Sequence, residues 1–232
     1  MKGIFVVPKF DDATFYSHLW NERMREQIGD RMEKELLLIE DAIRAKDEEA
    51  LLRDPTAMHV HYDHGSEDAI YGNDLVPVID LDNVSLLKGR TAYNMNCLSA
   101  KTLGKAAYKE GCLAYWGSIT EVSFTSDAEE KFGEALNYGL LMVVEGKTWL
   151  EALQLARDKM TEIVDELVSQ GNGLAAMLLR EDRDALHCWG PGIETPTEEC
   201  PVSRTIVSLF GYKTLQKLRI MRMKVKQHLS MS

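Results

Sequence analysis

Gly89-Arg-Thr-Ala-Tyr-Asn-Met-Asn-Cys97-Leu-Ser-Ala-Lys-Thr-Leu-Gly104 runs through Lys105-Ala-Ala-Tyr-Lys-Glu-Gly111 into Cys112-Leu-Ala-Tyr-Trp-Gly-Ser-Ile-Thr-Glu-Val122. Its pattern predicts a short strand, a sharp exit, a helix stopped at Gly111 and a second strand over 112–116. Cys97 falls where the first strand gives out, beside the small polar residues Asn96 and Ser99. At the carboxyl ends of parallel strands, loops gather and ligands bind. A thiol there is positioned to react, whereas Cys112 and Cys188, inside apolar runs, read as inert core.

Working outward, Ile4-Phe-Val-Val7 reads as a buried first strand closed by Pro8. A polar turn at Asp11 and Asp12 leads into a helical region over 14–52, where Leu36, Leu37, Ile39, Ile43 and Leu51 recur at helical spacing and Gly29-Asp30 splits it in two. Asp54-Pro55 ends it. Ala57-Met-His-Val-His-Tyr-Asp-His64-Gly65 follows as a short strand ending in His64-Gly65. Residues 73–82 read as a loop with a brief apolar segment, and 83–87 as one helical turn. Beyond Val122 a helix is expected over 127–145, and the capping box Thr148-Trp-Leu-Glu151 starts another that reaches about residue 169. Residues 173–179 fit a short helix or a strand, and 184–189 a last strand. Strands alternating with helices imply an α/β fold with a largely parallel sheet.

Composition narrows the function classes. With 232 residues, 45% of them hydrophobic, the chain supports one domain plus an appendage, expected to divide into 1–192 and 193–232. A net charge of −10 argues against nucleic-acid binding by the whole molecule. The seven Lys/Arg beyond Pro201 meet no Asp or Glu, so 37 acidic and 20 basic residues lie before them. That tail suits a basic helix open to RNA, to another anionic or regulatory partner, or to covering the acidic body. Four scattered cysteines make no disulfide framework. The apolar run before Pro8 is too short for a secretory leader or a membrane span. A cytoplasmic protein with no membrane partner is the expectation.

The chemistry then lies in a thiol and an imidazole. A cysteine nucleophile acts as thiolate and needs a neighbouring base; histidine suits that role near neutral pH. His64 and Cys97 are each expected at a strand's carboxyl end, and Gly65 would let its N–H approach a substrate closely, with the Cys97 N–H as second oxyanion donor. Taken together, strand-His-Gly, then strand-Asn-Cys-x-Ser-Ala-x-x-Leu-Gly, then Gly-Cys-Leu-Ala-Tyr-Trp-Gly-Ser resembles the caspase-like cysteine peptidases, most of all the gingipain and clostripain branches. The likeness is firm over about 58–122 and loose over the alternating strands and helices of 4–189. It implies a three-layer α/β/α caspase-like sandwich, hydrolysis of peptide bonds in protein or peptide substrates without a cofactor or metal, His64 as acid/base, Cys97 as nucleophile and Gly65 in the oxyanion hole. It also implies Tyr115, Trp116 and Ser118 as lining of the pocket for the residue before the cut. Clostripain-like members carry an Asp two residues before the cysteine; Met95 stands there in this chain, so a preference for Arg or Lys does not carry over. Glu121 is the candidate source of negative charge for that pocket.

Two rival readings remain open at this level. His59-Val-His61-Tyr-Asp63-His64 matches the His-x-His-x-Asp-His spacing of metallo-β-lactamase-type zinc hydrolases, although only His187 and His228 follow it as imidazole ligands. A non-catalytic interaction module on the same fold is the other.

Overall fold

A computed structural model of the chain describes residues 1–193. The linker and basic segment expected beyond them lie outside the described residues. The order is β1 (Lys2–Val6), α1 (Asp12–Ile28), β2 (Glu33–Leu38), α2 (Arg44–Arg53), β3 (Met58–Tyr62), β4 (Ala69–Tyr71), β5 (Pro77–Asp80), β6 (Thr91–Met95), α3 (Leu103–Lys109), β7 (Ala114–Ser118), α4 (Glu129–Val144), α5 (Trp149–Ser169), α6 (Gly173–Ala185) and β8 (Leu186–Trp189). Six strands form one sheet in the order β2-β1-β3-β6-β7-β8, and β4 and β5 make a separate hairpin. All pairings in the large sheet are parallel except β7 with β8. The protein is therefore mixed α/β with a mostly parallel central sheet.

Strand alternation divides the core in two. Phe5, Val60, Tyr62, Tyr93 and Trp116 pack with apolar residues of α1, α4, α5 and α6. Their neighbours Ile4, Val6, Ala92 and Tyr115 pack instead with Leu51 of α2, Leu103 of α3 and the hairpin residues Ile70 and Ile79. Strands buried on both sides read as continuous apolar runs, as β1 does.

One stretch departs from the sequence expectation. Residues 14–52 do hold two helices that part at Gly29, whose φ is 54°, but a strand, β2, stands between α1 and α2 where continuous helix was expected. Leu36 packs with one core and Leu37 with the other, which is the period of a strand. The leucines sit at a spacing both structures share, and pairing with β1 selects the strand. Exposed Glu33 and Lys34 guard this edge against further pairing. The loop expected over 73–82 likewise contains β5 of the hairpin. The cap at Thr148 is as expected, with Oγ1 accepting from the Glu151 N–H and the Glu151 carboxylate accepting from the Thr148 N–H. No helix among the described residues is long and apolar enough to cross a membrane.

Candidate active site

Parallel pairing of β3 with β6 sets the geometry. His61 faces Asn94 and Tyr62 faces Met95, so continuing the same register brings His64 level with Cys97 just past the carboxyl ends of both strands. The two segments touch directly: a Cβ added to Gly65 would lie 2.6 Å from the Cys97 carbonyl oxygen and 3.0 Å from the Asn96 side chain. Only glycine permits that approach. A bridge to Ile70 holds the His64-Gly65 segment, through bonds from the Ser66 N–H to Ala69 O and from the Tyr71 N–H to His64 O. The Gly65 N–H is not used in either bond.

The chain leaves β6 abruptly at Cys97. Leu98 adopts a left-handed backbone with φ 60°, costly for a residue with a side chain. Its N–H donates to Thr120 O and that of Ala100 to Ser118 O, tying the turn to the end of β7. Cys97 is half-buried, and its sulfur accepts from the Val122 N–H at 3.3 Å. Burial pushes its thiol above the ordinary value, the Val122 amide draws it down, and the charges of Glu121 and Asp182 push it up again.

His64 is oriented by a carboxylate. Its Nε2 lies 2.8 Å from Oδ2 of Asp11, and its ring stands 6.0 Å from that of Phe10. Asp11 also caps α1, its Oδ1 accepting from the Thr14 N–H at 2.8 Å. Burial opposes ionisation of Asp11, yet the bonds from Thr14 and His64 prevail and hold its carboxyl below the usual range. The sequence marks Asp11 only as a turn residue; a carboxylate 53 positions from its imidazole leaves no local signal. Between them, Asp63 is buried with neither oxygen in a well-formed hydrogen bond. Burial raises it to about 8, opposed by the His64 N–H and reinforced by the charge of Asp11.

Val122, whose N–H bonds the sulfur, also lines a narrow cleft with Met95, Asn96, Trp116, Ser118 and Asp182 among others; Cys97 itself is not in that lining. Three sequence candidates for substrate contact, Met95, Trp116 and Ser118, therefore meet there. Tyr115 does not join them: it points from the opposite face of β7, wholly buried in the second core, because successive strand residues alternate sides. Glu121 is exposed and outside the lining, although its charge reaches the sulfur. Asp182, on α6, is the residue the sequence did not single out.

The run from His59 to His64 separates rather than converges. His59 is completely buried and its Nε2 contacts Asp47 Oδ1 at 3.1 Å. His61 stacks on His59 at 6.1 Å, donates from Nε2 to the Tyr71 carbonyl and accepts at Nδ1 from Asn96 Nδ2 at 2.9 Å. His64 turns to Asp11. Among the described residues no three His, Cys, Asp or Glu side chains are grouped to hold a metal ion. The bond from Asn96 to His61 instead braces the residue before Cys97.

No protein-family model matches this chain, and neither does any curated protein.

Proposed function

We propose that this protein is a cysteine endopeptidase with a three-layer caspase-like architecture, in which Cys97 attacks the scissile carbonyl and His64 moves the proton. The single observation carrying this reading is the contact of Gly65 with the Cys97 carbonyl at the shared carboxyl end of β3 and β6. That backbone approach supports a nucleophile, an imidazole and the Gly65 N–H acting from one rim. Asp11 holds Nε2 of His64 and so leaves Nδ1 to accept the thiol proton, the orienting role of a third group in a catalytic triad. Because burial keeps the thiol protonated at rest, the thiolate forms as the imidazole takes the proton during attack. The tetrahedral oxyanion is received by the N–H groups of Gly65 and Cys97. Collapse expels the amine, protonated by His64, and water then cleaves the thioester.

The test is labelling with a peptidyl acyloxymethyl ketone, read by mass spectrometry. Modification confined to Cys97, abolished in His64→Ala and indifferent to chelators, supports the proposal. Chelator-sensitive hydrolysis that survives Cys97→Ala would overturn it, as would a failure to label or cleave any member of a diverse peptide pool.

A further inference from the structure

A cut peptide bond has two sides, and His64 marks the side by which the amine departs. The proton that releases this amine comes from the imidazole, so the residue after the cut lies over β3, away from the cleft at β6 and β7. The next strand outward is β1, parallel to β3, and the segment leaving its carboxyl end carries Phe10. The Phe10 ring stands 6.0 Å from that of His64, tilted by 52°, and the residue is 37% exposed.

An apolar residue just before a helix cap ordinarily packs on the fourth residue of that helix. Asp11 is the cap of α1, so the partner for Phe10 would be Phe15. Phe15 instead sets its ring edge-on to Tyr16 at 5.5 Å and carries the Lys9 ammonium over its face at 4.9 Å. Phe10 is left to the imidazole, with apolar surface open to water. Single exposed apolar residues need no explanation. One set against the imidazole, on the side where the product amine leaves, is placed to meet substrate.

From that juxtaposition we infer that Phe10 is the floor of the subsite for the residue immediately after the cut, and that this subsite selects a large apolar or aromatic side chain. The inference rests on the peptidase reading and adds a preference on its leaving-group side. Such a side chain covers the open face of Phe10 and takes apolar surface of both partners out of water. The charged residues flanking Phe10 are engaged elsewhere: Asp11 with His64 and the Thr14 N–H, Lys9 with Phe15. An acidic side chain after the cut would face the Asp11 carboxylate, whose bonds hold it below the usual range and so ionised. Covering the ring also shields the bond between Asp11 and His64 from water, which strengthens it as the proton moves.

The experiment digests a synthetic peptide library of randomised sequence with the full chain and reads the cut sites by mass spectrometry. Phe, Tyr, Leu and Met should follow the cut at least about threefold more often than Gly, Asp or Glu, the discrimination expected of one aromatic contact. Two peptides taken from the cut set and differing only in that residue, Phe or Gly, should differ about three- to tenfold in kcat/KM. Phe10→Ala should bring that ratio near one, and Phe10→Leu should restore most of it. A ring that merely supports His64 would lower both rates alike and leave the ratio unchanged. Cutting with no apolar bias after the bond, or a ratio that survives Phe10→Ala, would overturn this inference and leave the peptidase reading standing. Absence of any cut would overturn both. The comparison within the unaltered protein holds even if Phe10→Ala fails to fold.

Discussion

Oδ2 of Asp11 and Nε2 of His64 lie 2.8 Å apart, so the residue that starts the first helix also fixes the imidazole at the end of the third strand. One carboxylate thereby serves a helix cap and a candidate catalytic group. The two roles respond differently to substitution.

Asp11→Asn keeps a side-chain oxygen for the Thr14 N–H but weakens the charge partner of His64. We expect a melting temperature within a few degrees of the parent and a fall in kcat of up to about 10⁴-fold. Asp11→Ala should show the same kinetic loss together with about 1 kcal/mol of destabilisation from the lost cap. Thermal melts and steady-state kinetics of both variants separate the roles.

Gly65→Ala puts a methyl group 2.6 Å from the Cys97 carbonyl oxygen, closer than real Cβ atoms approach. The two strand ends must part. Labelling of Cys97 by a peptidyl electrophile should slow about 100-fold, since misplacement by an ångström in an active site costs that much. An alanine variant that reacts at the parental rate would show that the contact is irrelevant to chemistry.

The three described thiols should differ sharply in reactivity. Cys112 is buried and its thiol is pushed up to about 12, while Cys188 is buried and raised beyond that. Cys97 is half-buried, at the end of β6 rather than inside a core. At pH 8, alkylation of Cys97 by iodoacetamide should run at least ~100-fold faster than that of Cys112, because the thiolate is the reacting form. Peptide mapping of the native protein over time measures this.

Asp63 should give stability a distinctive pH dependence. Its folded-state value of about 8 lies above the ordinary carboxylate value, so the folded state holds a proton that the unfolded state has released. Its contribution is fullest at acid pH and is lost as pH rises from about 4 toward 8, by at most ~1.4 kcal/mol per unit. Asp63→Asn removes that slope. Chemical denaturation at intervals across this range should show the parent losing stability relative to the variant as pH rises; parallel curves would contradict the assignment.

Much of the architecture was legible because its signals are local. Pro8, Asp54-Pro55, Gly111 and the Thr148 capping box each act on the backbone within a few residues, and the elements they bound stand about where the sequence put them. Residues 33–38 misled because three leucines among charges satisfy helical and strand spacing alike. Pairing with β1, a contact between distant segments, made the choice. Tyr115 and Trp116 are adjacent in sequence yet serve different cores, because the sheet has helices packed against both faces.

By itself the sequence determined that strands alternate with helices, that His64-Gly65 and Cys97 follow strands of their own, and that the chain before Pro201 is acidic. The tertiary structure decided that β3 lies beside β6 in a register that levels His64 with Cys97. It also turned His59 and His61 away into buried bonds, and brought Asp11 to the imidazole and Asp182 to the cleft. Propensities and turns act over a few residues and are written along the chain. The pairing of strands and the meeting of Asp11 with His64 across 53 positions arise only when separate apolar faces are buried together.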